Sequence, residues 1–173
     1  MIDHVHAFAL PAAYAVLPAR LQSPHATALL LAIGLQESGF VHRRQVGGPA
    51  RGFWQFERNG VLGVLTHERT RPLLQTALRV LQFDHVGLDT ASERRYVDPV
   101  HALIEHNDVV AAVCARLLLV TVPQRLPQRG EASLAWEQYL GAWRPGKPHR
   151  ETWDAHFTDA WQRVARAAQE TTA

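Results

Sequence analysis

The stretch Ser23-Pro-His-Ala-Thr-Ala-Leu-Leu-Leu-Ala-Ile-Gly-Leu-Gln-Glu-Ser-Gly39 decides the reading of this chain. A serine oxygen can accept from the orphan amides of a helix start, and proline suits the first helical position. Ala26, Leu30, Ile33 and Glu37 recur at three- and four-residue steps, which places them on one face, and Gly39 is a reasonable stop. The stretch therefore predicts a helix over 24–38 whose apolar stripe carries a glutamate. A carboxylate on that stripe is partly desolvated, which raises its pKa. Moved from ~4.3 toward ~6, it could hold a proton near neutral pH and deliver it to a leaving oxygen.

Helical spacing dominates the rest, and no alternating apolar run is long enough for a strand. The segment from Val41 to Gly60 breaks the pattern with Gly47, Gly48, Pro49, Gly52 and Gly60, and reads as a structured or β-like loop. Helices are predicted from Thr70 to Phe83 and, after Asp98-Pro99, from Val100 to Glu105. Another is capped by Asn107 or Asp108 and runs to about Val120, where Pro123, Pro127 and Gly130 follow. Ala132 to Leu140 and His149 to about Gln169 complete an all-α chain, read as one domain over 1–173.

The 173 residues suit one domain, and 47% hydrophobic with 20% charged residues is the balance of a globular protein. A formal charge of +2 permits an anionic partner without forming the dense basic stripe of a nucleic-acid reader. Arg43-Arg44 and Arg94-Arg95 are short pairs, read as solvated or guiding an anionic polymer. The single cysteine, Cys114, excludes a disulfide framework and reads as a small buried hydrophobe. His4-x-His6 and His101-x4-His106 have loose metal-like spacing, but no carboxylate or cysteine completes either set, so neither a metal nor a cofactor is expected. No apolar run reaches the ~20 residues of a membrane span. Met1-Ile-Asp-His-Val-His lacks the basic region of a secretory signal, and Pro11 and Pro18 interrupt the apolar stretch behind it.

The chemistry concentrates in Leu35-Gln-Glu-Ser-Gly-Phe40 and Gly48-Pro-Ala-Arg-Gly-Phe-Trp-Gln-Phe-Glu57. The loop offers flat apolar walls and a backbone that can approach a ligand closely. Glu37-Ser38 followed by Gly52-Phe-Trp-Gln55 resembles the Glu-Ser and Gly-Leu-Met-Gln pattern of the lysozyme-like lytic transglycosylases. Phage-encoded members are the closer likeness, through Ala50 to Phe56 and the Trp143-Arg-Pro-Gly-Lys-Pro148 turn. The resemblance spans most of 23–161, although its specific motifs cover only about thirty positions.

That resemblance implies a lysozyme-like fold and cleavage of the bond between N-acetylmuramic acid and N-acetylglucosamine. Glu37 maps to the catalytic acid/base, Ser38 to a serine supporting the sugar or the carboxylate, and Gln55 to a cleft residue on substrate. Gly52 matches by identity, and Phe53, Trp54 and Phe56 would stack on sugar rings or exclude water. The family's Ala-Tyr-Asn-x-Gly signature is not intact; Ala135-Trp-Glu-Gln-Tyr-Leu-Gly141 stands nearest. Either Trp136 or Tyr139 could take the tyrosine's place. Tyr139 is favoured, its hydroxyl donating to the glutamate or a sugar while Trp136 packs inward.

The resemblance also implies that one carboxylate suffices: the substrate's acetamido group stabilises the developing cation, and the sugar's own 6-hydroxyl, deprotonated by the same glutamate, closes a 1,6-anhydro ring. Glu57 is the candidate second acid, and it keeps simple hydrolysis, a muramidase, in view; otherwise it is an exposed glutamate paired with Arg58, Arg51 or nothing. Glu68, Asp84, Glu105 and Asp108 are assigned no role. A non-catalytic wall-contacting virion module is the alternative of another class. The expected partner is peptidoglycan glycan, with no nucleic acid and no stable membrane insertion, the chain acting as a monomer. Without a signal, it would be made in the cytoplasm and reach the wall through a holin-type pore or inside a phage particle.

Overall fold

The computed structural model describes residues 1–83, 86 and 93–172, apart from the side chains of 93, 94, 171 and 172. Asp84 and the Arg94 side chain thus lie outside the described part. The chain is all-α. In order come α1 (Ile2–His4), α2 (Leu10–Ala15), α3 (Pro24–Ser38), α4 (Arg58–Thr66), α5 (Arg71–Val80), α6 (Val97–His106), α7 (Asp108–Val120), α8 (Ala132–Trp143) and α9 (Arg150–Thr172). A π-helical turn over Val5–Ala9 joins α1 to α2. Pro11 does not interrupt the chain there, because it stands in the first turn of α2, where a missing N–H costs little.

α3 begins as expected, with Ser23 Oγ accepting from the Ala26 amide at 3.1 Å, and ends with Gly39 in the left-handed region at φ 59°. It is not one-faced, however. Residues 28–34 are buried without interruption. α9 lies along α3, α7 packs on it too, and the Trp54 indole donates to the Leu30 carbonyl at 2.8 Å. A helix enclosed on all sides needs no polar face. Gly34 is required at its centre, since a Cβ there would meet the Phe40 ring at 2.1 Å.

α7 is the second enclosed helix, buried from Val110 to Leu119 and including Cys114, whose thiol burial pushes up to about 12. Asn107 is its cap, accepting from the amides of Val109 and Val110 at 3.0 Å. The buried apolar residues of these helices form one contiguous core. α4 lies where no helix was expected. Gly60 and Gly63 mask a three-and-four spacing, Val61, Val64 and Leu65, that is fully buried. α5 stops at Val80 rather than Phe83, and α8 continues three residues past Leu140 to Trp143. Among the described residues no helix is long and apolar enough to cross a membrane.

Candidate active site

The loop between α3 and α4 is a small pinned hairpin. Isolated antiparallel bridges join Arg44 to Arg51 and Arg51 to Phe56. Arg51 and Phe56 exchange both backbone bonds, at 2.9 and 2.7 Å. Gly52 stands at φ 70° at its turn, where a Cβ would lie 2.7 Å from Ile104 Cγ2 and 2.9 Å from the Ile104 carbonyl. Only glycine serves there, for conformation and for space.

Acids on α6 and α7 fasten this hairpin. Arg43 makes two bonds to Asp108, at 2.8 and 2.7 Å, and Glu105 receives both Arg44 at 3.0 Å and Arg51 at 2.7 Å. Arg43 is therefore an anchor, whereas Arg44 stays largely solvated in its pair with Glu105, and Glu105 and Asp108 acquire the roles that sequence did not assign. The buried His101 Nε2 sits 2.7 Å from the Phe56 carbonyl and closes the hairpin from α6.

Against this frame stands Glu37, half-buried in the last turn of α3. The Tyr139 hydroxyl donates to Glu37 Oε1 at 2.6 Å. Burial pushes the Glu37 carboxyl up to about 7, the hydrogen bond from Tyr139 draws it down, and the negative charge of Glu57 raises it. Burial also raises the Tyr139 hydroxyl, with the neighbouring glutamate adding to it, so the phenol stays a donor. Near neutrality Glu37 is poised between acid and base.

Ser38 is engaged with backbone. Its hydroxyl donates to the Phe53 carbonyl at 2.6 Å, with a longer approach to the Gly34 carbonyl at 3.3 Å, and accepts from the Phe40 amide at 3.1 Å. It ties the hairpin to the end of α3 and has no hydrogen left for a sugar. Phe53, Trp54 and Phe56 are 0%, 0% and 2% exposed, which corrects the expectation that they stack on sugars. Their rings fill core, Phe53 and Trp54 against Phe40 and Phe56 against Trp143; exclusion of water is the part they can play. Gln55, at φ 48°, is half-buried and donates to the carbonyls of Gly52 at 2.8 Å and His42 at 3.3 Å, so it shapes the hairpin tip.

Glu57 is exposed at the N-cap of α4. Among the described residues it pairs with neither expected arginine, since Arg58 holds Asp98 at 2.6 Å and Arg51 holds Glu105. It reaches Glu37 through its field alone.

Several supports were assigned no part in the site from sequence. Trp153 of α9 stacks on Tyr139 with ring centres 5.1 Å apart at 15°. The Trp143 indole donates to the Trp54 carbonyl at 2.8 Å, joining α8 to the hairpin. Gln36, beside the glutamate, donates to the His149 carbonyl at 2.9 Å and accepts from Thr152 at 3.1 Å, which fixes the start of α9. The aromatic spacing in α8 and α9 was the available signal, but a half-buried ring and a core ring look alike in sequence.

No group of three or more His, Cys, Asp or Glu that could hold a metal ion occurs among the described residues. A cavity of about 520 Å3 near Tyr96, Pro99 and Leu103 is walled mainly by hydrocarbon and contains none of the residues above. The arrangement around Glu37 sets a carboxyl against a hydroxyl; no carboxylate is among the described residues that line that cavity. Comparison with protein-family models, with curated proteins and with solved structures returned no match.

Proposed function

We propose that this chain is a peptidoglycan-degrading enzyme of the lytic transglycosylase type, with Glu37 as its single acid/base. The observation that carries the reading is a carboxyl raised to about 7 by burial and held by the Tyr139 hydroxyl at 2.6 Å. A glycosidic oxygen needs a neutral acid beside it, and a group balanced near the working pH can also serve as base in the next step.

With Oε1 occupied by Tyr139, Oε2 of Glu37 delivers its proton to the bridging oxygen between N-acetylmuramic acid and N-acetylglucosamine. The C1–O bond breaks, and the acetamido carbonyl oxygen of the muramic residue closes on C1. The carboxylate so formed takes the proton of that sugar's 6-hydroxyl, whose oxygen attacks C1 and displaces the acetamido oxygen. The product is a 1,6-anhydro ring, and Glu37 is again protonated. Burial at the end of α3 sustains the raised pKa of Glu37. Delivery to the wall through a pore or inside a phage particle belongs to the same proposal.

The field of Glu57 at Glu37 favours one second reading, hydrolysis of the same bond with Glu57 directing water. Mass spectrometry of digested sacculi decides between them. Anhydro-ended fragments weigh one water less than hydrolytic ones and are the expected product. Reducing-end fragments alone would establish the muramidase, and no glycan fragments at all would remove both.

A further inference from the structure

The sealed loop aromatics leave the sugar-contacting surface unassigned, and α8 presents another. Trp136, Tyr139 and Trp143 stand three and four residues apart on one face, a run of roughly 10 Å along the helix axis. Tyr139 occupies the middle, buried, with its hydroxyl on Glu37. Trp136 lies one turn before it with ring centres 5.3 Å apart, and Trp143 one turn after it at 6.4 Å. Both tryptophans are half-buried, whereas Phe53, Trp54, Phe56, Tyr139 and Trp153 around them are sealed.

From this we infer that Trp136 and Trp143 form the wall on which sugar rings stack, one on each side of the bond that Glu37 cleaves. The inference rests on the glycosidase reading above. A pyranose presents a face of C–H groups that packs on the flat ring of an indole, while its hydroxyls stay in water at the edge. Two tryptophans flanking the proton donor engage the ring on each side of the scissile oxygen. Both contacts hold the rings alike before and during cleavage, so they set affinity.

The two rings are held differently. Trp143 is fixed by its bond to the Trp54 carbonyl and by its contact with Phe56 at 5.9 Å, so its removal would loosen the hairpin. Trp136 is braced by Trp153 at 5.4 Å, and the guanidinium of Arg150 lies 5.6 Å over its ring. Arg150 is 43% exposed and joined to Asp154 in a surface ion pair. Such a cation is a loose cover that a sugar can displace. Trp136 is accordingly the cleaner probe.

The test is the full chain on solubilised peptidoglycan glycan strands. Trp136→Ala is expected to raise KM roughly tenfold, the scale of one lost aromatic contact, with kcat changed by less than about twofold. Trp136→Phe recovers most of the affinity. In a Glu37→Gln background, glycan alters the tryptophan emission, and Trp136→Phe removes a large part of that change without disturbing the fold. A wild-type KM in Trp136→Ala, a loss confined to kcat, or an undiminished emission change in Trp136→Phe overturns the stacking wall while the glycosidase reading stands. A wild-type chain that neither cleaves nor binds the strands overturns both.

Discussion

The Tyr139 hydroxyl and the Glu37 carboxyl meet at 2.6 Å across 102 residues of chain, joining α8 to the end of α3. The bond favours the charged carboxylate, and burial opposes it. Removing the hydroxyl therefore leaves burial less opposed. Tyr139→Phe should raise the Glu37 pKa above its wild-type value. Because the proton donor must be neutral, kcat/KM falls as pH rises through that pKa. The falling limb of the pH profile moves to higher pH in Tyr139→Phe, and a limb moving down would contradict the geometry.

Glu57 acts with the opposite sign. Its charge raises the Glu37 pKa, so Glu57→Gln should shift the same limb to lower pH while cleavage persists. If Glu57→Gln abolished cleavage as thoroughly as Glu37→Gln with the fold intact, the one-carboxylate mechanism would be wrong.

Ser38 separates a pin from a substrate contact. Ser38→Ala loses its bonds to the Phe53 carbonyl and the Phe40 amide, a cost of about 1–2 kcal/mol. Calorimetry should show a lower Tm, by on the order of 5 °C. KM for glycan should stay at the wild-type value, which a sugar-binding serine would not permit.

Two glycines with the same φ of 70° make a matched pair. Gly47→Ala, with nothing within 4 Å of the new Cβ, should cost only the left-handed strain of about 1–2 kcal/mol. Gly52→Ala adds overlap with Ile104, for about 2–5 kcal/mol in all. Denaturant titrations of the two variants measure the difference, and equal losses would mean that the hairpin is not packed on α6 as described.

The α3 boundaries were legible because Ser23, Pro24 and Gly39 each act through local backbone chemistry, which needs no tertiary information. The enclosure of α3 was not legible, since alanine and leucine are compatible with a face or a core and only α7 and α9 decide. Glu37 could be singled out because a carboxylate on an apolar stripe is followed by a glycine- and aromatic-rich loop, neither of which decides alone. Its neighbours misled: Phe53, Trp54 and Phe56 beside glycines suit a ligand platform and a sealed core equally, and the structure places them in the core. The Asp108 and Glu105 anchors escaped notice because a carboxylate's partner, 61 or 65 residues away in sequence, leaves no local trace.

The proton affinity of Glu37 also enters the stability of the fold. Its folded pKa stands near 7 against an ordinary 4.5, so the stability it contributes is complete below about 4.5 and is lost as pH rises to about 7. The loss is on the order of 3 kcal/mol. Glu37→Gln, which cannot ionise, should match the wild type at pH 4 and exceed it by that order at pH 8 in urea titrations.

The most direct measurement is a titration of the Glu37 side-chain carboxyl by carbon NMR, assigned by the resonance that disappears in Glu37→Gln. The account predicts an inflection near pH 7 in the wild type, moved upward in Tyr139→Phe. An inflection near 4.5, unmoved by that substitution, would show a solvated carboxylate with no proton to give at neutral pH, and would contradict it.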